Sequence, residues 1–279
     1  MCARRGVALA ELLVAFTLAT LIAALAAGVM VGAERYLRRS GDVSDGRRVL
    51  REAESTLAAE LLAAAADSVR ILGDTAASFL GLVGTSVACV TTPGELVLPP
   101  ATASAAPPYT VWRVNPVPGD LVVTFDSTAG GTWRTAIVDS TAVRTDGAGC
   151  TPASGFLSAA DSASRFPVTR IFLSPALAIG VGIGAPVRLL RWGRYVLTRG
   201  GDRSWSLSYR DCDGALVCGP SQPVAGPLAA AADTGLAFSL DPAAARIYVT
   251  LWTAPHAGGA ARETRKFDLT LRNRATGPP

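Results

Sequence analysis

Residues 4–33 decide the fold and read RRGVALAELLVAFTLATLIAALAAGVMVGA. The stretch begins with two arginines and a glycine, continues with apolar and small residues, and contains one carboxylate, Glu11. The apolar run from residue 12 to residue 33 spans about 22 residues, which suffices to cross a bilayer at roughly 1.5 Å per residue. The sequence therefore predicts a transmembrane helix over residues 7–33.

Glu11 is the unusual residue of this span. A charged side chain at the centre of a bilayer costs roughly 2.5–3.5 kcal/mol on insertion scales, so an intramembrane acid points to a function. A lone carboxylate in an apolar medium must either take up a proton or find a cation. The sequence therefore predicts that Glu11 has a specific partner.

The spacing of Gly6 and Glu11 resembles the class III leader of type IV prepilins and pseudopilins. The resemblance implies a leader over residues 1–6, cleavage of the Gly6–Val7 bond by prepilin peptidase, and N-methylation of Val7. It also implies that Glu11 pairs with the N-terminus of a neighbouring subunit during filament assembly. Val7 departs from the family pattern, which more often has Phe or Met there.

Two other readings of the N-terminus are a signal anchor with an incidental Glu11 and a secretory signal. A secretory signal has a shorter apolar core of about 7–15 residues. The flanking charges favour neither orientation, because Arg4 and Arg5 precede the span and Arg35, Arg38 and Arg39 follow it. The leader motif favours a cytoplasmic N-terminus, an inner-membrane single-pass anchor and a periplasmic head.

After the span, residues 34–73 are expected to form an amphipathic helical spine. Apolar residues recur at helical spacing between residues 44 and 72: Val49, Leu50, Ala53, Leu57, Leu61, Leu62, Ala65 and Val69. Gly73 and Asp74 suggest the end of the helix. Gly41 and Asp42 are poor helix-interior residues and suggest a break, or a hinge between anchor and head, near residues 40–43.

Residues 74–279 are predicted to form a β-rich head, because β-branched and aromatic residues alternate with turn formers. The expected strands are 87–91, 95–98, 121–125, 133–138, 168–173, 187–191, 194–198, 205–209, 236–240, 247–252 and 266–271. The stretches 102–108, 145–164 and 219–227 are expected to be loops. The fold class is therefore α+β, with a long N-terminal helix packed on a β-rich head.

The cysteines predict two disulfides in an exported head. Cys2 lies in the leader, and four cysteines remain. Asp213-Gly214 is a turn signal that favours a local Cys212–Cys218 pair, which leaves Cys89 for Cys150. A metal site or free thiols are the alternatives, but the chain has one histidine, His256, and no Cys-x-x-Cys motif.

The head carries few signs of chemistry, and we expect no enzymatic activity, no cofactor and no metal. His256 follows a proline in a Gly-rich stretch without a nearby acid, and no Gly-x-Ser-x-Gly motif occurs. The glycine-rich residues 180–184 precede a predicted strand and not a helix, so they do not form a phosphate loop. The formal net charge of +4 is small and dispersed, which argues against a nucleic-acid partner.

The strand order near the C-terminus, ending in Leu-Arg-Asn-Arg, is similar to the heads of PilW-type minor pilins and J-type minor pseudopilins. Together the resemblances imply a minor subunit, at the tip or in initiation, of a type IV pilus, a type II secretion pseudopilus or a DNA-uptake machine. The implied partners are other minor pilins or pseudopilins, prepilin peptidase and the inner-membrane assembly platform with its ATPase. The alternative is a membrane-anchored periplasmic binding domain or tip adhesin that uses the same leader.

Overall fold

A computed structural model describes residues 9–101, 109–128, 131–145, 150, 152, 155–163, 166–177, 181–201, 204–229, 235–254 and 262–272. A long helix leads into a head of β-strands, as the α+β prediction requires. In chain order the elements are α1 (Leu9–Ala63), a 3₁₀ helix (Ala66–Ser68), β1 (Arg70–Leu72), β2 (Ala76–Val87), β3 (Val90–Thr92), β4 (Glu95–Leu98), β5 (Val111–Trp112), β6 (Leu121–Asp126), β7 (Thr132–Arg144), α2 (Ala159–Ala163), β8 (Val168–Ser174), β9 (Pro186–Arg199), β10 (Trp205–Cys212), β11 (Gln222–Leu228), β12 (Leu236–Asp241), β13 (Arg246–Trp252) and β14 (Thr264–Thr270).

Helix α1 runs without interruption through residues 40–43, so the predicted break is wrong. One glycine costs about 1 kcal/mol relative to alanine in a helix, and helix propagation from both sides outweighs that cost. Ion pairs between Glu34 and Arg38 and between Asp45 and Arg48 lie on either side of Gly41. We call residues 11–42 the arm and residues 43–63 the spine.

The helix ends at Ala63, nine residues before the predicted end at Leu72. Arg70–Leu72 instead forms strand β1, which pairs with the start of β2. The hydroxyl of Ser68 donates to the carbonyl of Ala65 and accepts from the amide of Leu80, which ties the turn between helix and sheet to β2. Pairing with the next strand in the chain therefore overrides the apolar periodicity that continues to Val69.

The spine presents the predicted apolar stripe to the main core of the head. The buried members of the stripe within the helix are Val49, Leu50, Ala53, Leu57 and Leu61. They pack against Phe79 of β2, Leu207 of β10 and Val249 of β13 in one continuous cluster. Leu62 is exposed, because it lies off this stripe.

Eleven of the described strands form one antiparallel sheet. Its main path is β1-β2-β9-β6-β7-β8-β4-β3, while β5 pairs with β2 and β10 joins β9 to β11. Strands β2 and β3 are consecutive in the chain, so the last strand of the sheet lies close to its second strand. The sheet therefore curls around a second core, which includes Val83, Leu96, Val122 and Ile171. A separate sheet, β12-β13-β14, packs on the spine and completes the main core.

The expected strands agree with the sheet in most places. Strands β1 and β5 were not expected, and the predicted loop 145–164 contains helix α2. Four further differences concern longer segments. The segments 187–191 and 194–198 form one continuous strand, β9, and not a pair. The predicted Pro-rich loop at 219–227 contains strand β11, which tolerates two prolines because it lies at the sheet edge. Strand β2 was missed, since half of its residues are Ala, Gly or Ser, and the predicted strand 87–91 is broken at Ala88 and Cys89.

Candidate functional site: an exposed apolar arm and a polar pocket

The arm is exposed along its whole described length. Every side chain from residue 11 to residue 42 is exposed, and Phe16 and Met30 expose 69% and 74% of their surface. Exposed apolar area in water costs roughly 25 cal/mol per Å². Length and composition allow α1 to span a membrane. Such a contiguous apolar surface requires a lipid or protein environment outside this chain.

Glu11 lies two residues after the beginning of α1. Its side chain borders a shallow groove with Val14, Ala15 and Leu18, which are spaced so that all four lie on one face of the helix. Within the described residues no cation pairs with this carboxylate. Gly6 and Val7, the predicted cleavage and methylation residues, lie outside the described residues.

The head contains a pocket of about 320 Å³ between the end of the spine and the large sheet. Tyr195 on β9 and Tyr209 on β10 lie directly opposite each other on the strand pair, with ring centroids 5.4 Å apart. Glu60 of the spine and Arg113 form one wall, where Arg113 Nη2 donates to Glu60 Oε1 at 2.7 Å. The pocket therefore combines aromatic and charged groups at the junction of helix and sheet.

A buried ion pair closes the far side of the pocket. Arg191 donates from Nε and Nη2 to the two oxygens of Asp120 at 2.6 and 2.9 Å, and Asp120 is only 1% exposed. The hydrogen bond to Asp120 raises the pKa of Arg191 above its usual value. Asp120 also accepts from the amide of Val117. Bidentate geometry of this kind fixes the guanidinium plane rigidly.

Both tyrosine hydroxyls remain protonated at neutral pH. Burial raises the pKa of Tyr195 and Tyr209 well above the ordinary value of 10.0, and the negative charges of Glu60 and Asp211 add to the effect. Tyr209 Oη lies 3.3 Å from Asp211 Oδ1 and donates to it. Tyr195 Oη has no hydrogen-bond partner within the described part of the chain.

The predicted disulfides are present in the structure. Cys89 is bonded to Cys150, with Cα atoms 5.1 Å apart, and the two lie in a small core with Val97 and Leu157. Cys212 is bonded to Cys218 and closes the loop that follows β10. This second bond lies one residue after Asp211 and so braces the strand end that lines the pocket.

The other residues that the sequence drew attention to form no site. His256 lies outside the described residues. Residues 181–184 form a tight turn, where Gly184 has φ +85° and donates its amide to Ala88 O. Among the described residues, no three His, Cys, Asp or Glu side chains are close enough together to hold a metal ion.

Sequence reasoning missed the pocket. Its polar groups come from the spine, β9, β10, β11 and the segment after β5, which are up to 162 residues apart in the chain, between Glu60 and Gln222. The sequence offered one signal. Every second residue of a strand lies on the same face, which places Arg191, Gly193 and Tyr195 of β9 on one face of the sheet. That signal is visible only once residues 186–199 are taken as a single strand.

Comparisons with protein-family models, with curated proteins and with solved structures find no match for this chain.

Proposed function

We propose that this chain is a minor pilin or minor pseudopilin, a structural subunit held in the inner membrane by residues 7–33 with its head in the periplasm. One observation carries the proposal. A single uninterrupted helix supplies both a fully exposed apolar arm and the buried spine of the head, and a lone acid lies near the free end of the arm.

Cleavage after Gly6 gives Glu11 a chemical partner. It creates a new α-amino group on Val7, whose pKa is ordinarily about 7.7–8.0, so the group is a cation at neutral pH. A Glu11 carboxylate that meets this cation on a neighbouring subunit is no longer an uncompensated charge in apolar surroundings. The need to pair the two charges thus favours assembly over the isolated membrane-bound subunit.

The size of the head suggests a minor position. The described residues of the head form a large body around two main cores, whereas the packed shaft of a filament favours small heads. We therefore place the subunit at the tip or in initiation. Its partners are other minor pilins or pseudopilins, prepilin peptidase and the inner-membrane assembly platform of a type IV pilus, a type II secretion system or a DNA-uptake machine.

The first test is the intact mass of the membrane-extracted protein from cells with and without prepilin peptidase. We expect the wild type to lose residues 1–6 and to gain one methyl group on Val7 only where the peptidase is present. Gly6→Ala should block both changes, while Ala10→Gly, also in the N-terminal segment, should leave them intact. An unprocessed wild type in peptidase-positive cells would overturn the proposal.

A second test separates processing from assembly. Glu11→Gln keeps the shape of the side chain and removes its charge, so we expect normal cleavage but a loss of co-purification with sheared filaments. Glu34→Gln, at the end of the arm beyond the span, is the matched control. Normal filament incorporation of Glu11→Gln would contradict the pairing role of Glu11.

The polar pocket favours a second role for the head, which is the binding-domain or adhesin alternative. Strand β11, within the 219–227 segment, contributes Gln222 and Val224 to its lining. This role does not exclude assembly, because the arm and the pocket are at opposite ends of α1.

A further inference from the structure

We infer that the pocket between the spine and strands β9 and β10 binds a neutral polyhydroxylated ligand, the size of one or two sugar rings. The inference stands apart from the prepilin proposal, since it uses residues of the spine and the head and none of the arm. The volume of the pocket, about 320 Å³, lies at the lower end of the range for small-molecule sites.

The first support is a tyrosine hydroxyl without a partner. Tyr195 is only 2% exposed, and its ring stacks on Phe79 at a centroid distance of 5.7 Å. Its hydroxyl nevertheless has no hydrogen-bond partner among the described residues and borders the pocket. The hydroxyl oxygen is not one of the fully buried unpartnered atoms, so it opens into the pocket, where it is available to a ligand as both donor and acceptor.

The charges around the pocket favour a neutral ligand over an ion. The side chain of Arg191 is bound by both oxygens of Asp120, and Arg113 is bound by Glu60. An anion would have to compete with these carboxylates, and a cation would face two guanidinium groups. The hydrogen bond between Arg113 and Glu60 uses one nitrogen of the guanidinium and one oxygen of the carboxylate. The other N–H groups of Arg113 and the second carboxylate oxygen of Glu60 remain available to a ligand.

A hydroxylated ligand matches this mixture of donors and acceptors. Each of its hydroxyl groups can donate to Glu60 or Asp211 and accept from Arg113, while Tyr195 can do either. The C–H surfaces of a sugar ring can pack on apolar lining residues such as Leu82 and Val224. An ammonium ligand offers donors only and would leave the remaining N–H groups of Arg113, those not bound to Glu60, without an acceptor.

Glycine at position 193 leaves an opening that the ring of Tyr209, a pocket-lining residue, occupies. A Cβ atom built on Gly193 would lie 2.6 Å from Tyr209 Oη, closer than any real Cβ contact. An alanine there would force the Tyr209 ring to move within the pocket. Gly193 also lies opposite Asp211 and Phe79 in the sheet, so this opening is set by the strand register.

The pocket is also well separated from the membrane. Glu60 lies 27 residues beyond Ala33, which corresponds to about 40 Å along a helix at roughly 1.5 Å per residue. A ligand in the extracytoplasmic space can therefore reach the pocket while the arm is in the bilayer or in a filament.

The test is saturation-transfer difference NMR on the full chain, solubilised in a zwitterionic detergent that has no sugar headgroup. The probes are D-glucose, D-galactose, D-mannose and N-acetyl-D-glucosamine, with D-glucuronate and D-glucosamine as charged counterparts. We expect at least one neutral sugar to receive saturation, and its charged counterparts to bind more weakly.

Two variants locate the binding. Tyr195→Phe removes only the hydroxyl and keeps the stacked ring, so the fold should persist while affinity falls about threefold to tenfold, as expected for one hydrogen bond. Gly193→Ala should also weaken binding. Tyr248→Phe, at an exposed position of β13, is the matched control and should bind like the wild type. Absence of a signal from every neutral sugar, stronger binding of a charged counterpart, or equal affinity in Tyr195→Phe and wild type would overturn the inference.

Discussion

The arm and the spine are two halves of one continuous helix, yet their apolar residues have different arrangements. Along residues 11–32 of the arm, apolar side chains point in all directions, and all are exposed. Along residues 43–63 they form one stripe, and the opposite side carries charges such as Glu52 and Arg51. A helix that is apolar all round belongs in a membrane or a protein interior, whereas a striped helix belongs on a soluble core.

In α1, one property of the sequence sets the helical backbone, and another sets whether the helix faces lipid or a protein core. Helix propensity and propagation continue α1 through Gly41, while the change from an all-round to a striped pattern decides where the head begins. Val43 and Gly46 are the first residues along the described helix that are not exposed. The boundary between arm and spine is therefore a boundary of side chains and not of secondary structure.

The strongest way to break the comparison is to place the same charge in both halves. Leu57→Asp buries an unpaired carboxylate in the main core and should destabilise the head by more than about 4 kcal/mol. Leu21→Asp should leave the head folded but oppose membrane insertion by roughly 2.5–3.5 kcal/mol. Near-UV circular dichroism measures the first effect and alkaline carbonate extraction measures the second. Equal loss of head structure in both variants would refute the division.

Both disulfides lie in the head and none lies in the described arm, so their removal should affect the head alone. The sequence separation is 61 residues for Cys89–Cys150 and 6 for Cys212–Cys218. In the chain-entropy description, replacing each pair by serines should cost about 4 and about 2 kcal/mol respectively. Urea unfolding followed by tryptophan fluorescence gives both values, since the tryptophans all lie in the head. The reverse order of the two losses would contradict this prediction.

A third distinction comes from the tyrosines of the two regions. Burial raises the pKa of Tyr195, so above pH 10 the unfolded chain loses this proton while the folded head retains it. The contribution of Tyr195 to the free energy of unfolding should therefore be fully present below pH 10. It should fall as the pH rises above 10, by up to about 1.4 kcal/mol per pH unit. Tyr195→Phe should reduce this dependence between pH 10 and 11.5 and leave the part that comes from Tyr209, whose pKa is also raised, whereas Tyr36→Phe on the arm should not change it. An unchanged slope in Tyr195→Phe would show that its pKa is not raised.

The smallest expected effect concerns the junction. Gly41→Ala adds a methyl group where nothing lies within 4 Å, so only helix propensity changes, by about 1 kcal/mol. Amide hydrogen exchange around residues 39–44 should slow by roughly fivefold, while exchange in the head stays the same. Gly28→Ala, inside the apolar run, is the matched substitution within the span. Faster exchange in Gly41→Ala would mean that the junction is not helical.

Most strands of the head could be predicted because they have alternating or β-branched residues between turn signals, as Glu95–Leu98 and Arg246–Trp252 do. The misses share one cause. In the sequence, Gly193 suggests a turn, but in the sheet its missing side chain leaves room for the ring of Tyr209. Pro223 looks like a loop residue, but it lies on an edge strand where its missing N–H costs nothing. In each case a partner strand decides the conformation, and a single sequence does not show that partner.

The sequence by itself determined the membrane-compatible arm, the lone acid Glu11, the apolar stripe of the spine and the cysteine pairing, because these depend on local composition and spacing. Only the tertiary structure decided that the helix stops at Ala63, that the large sheet curls around a second core, and that Glu60, Arg113, Arg191 and Tyr195 meet. The physical reason is the range of the interactions. Local preferences act within a few residues of the chain, whereas strand pairing and buried ion pairs join segments separated by tens of residues.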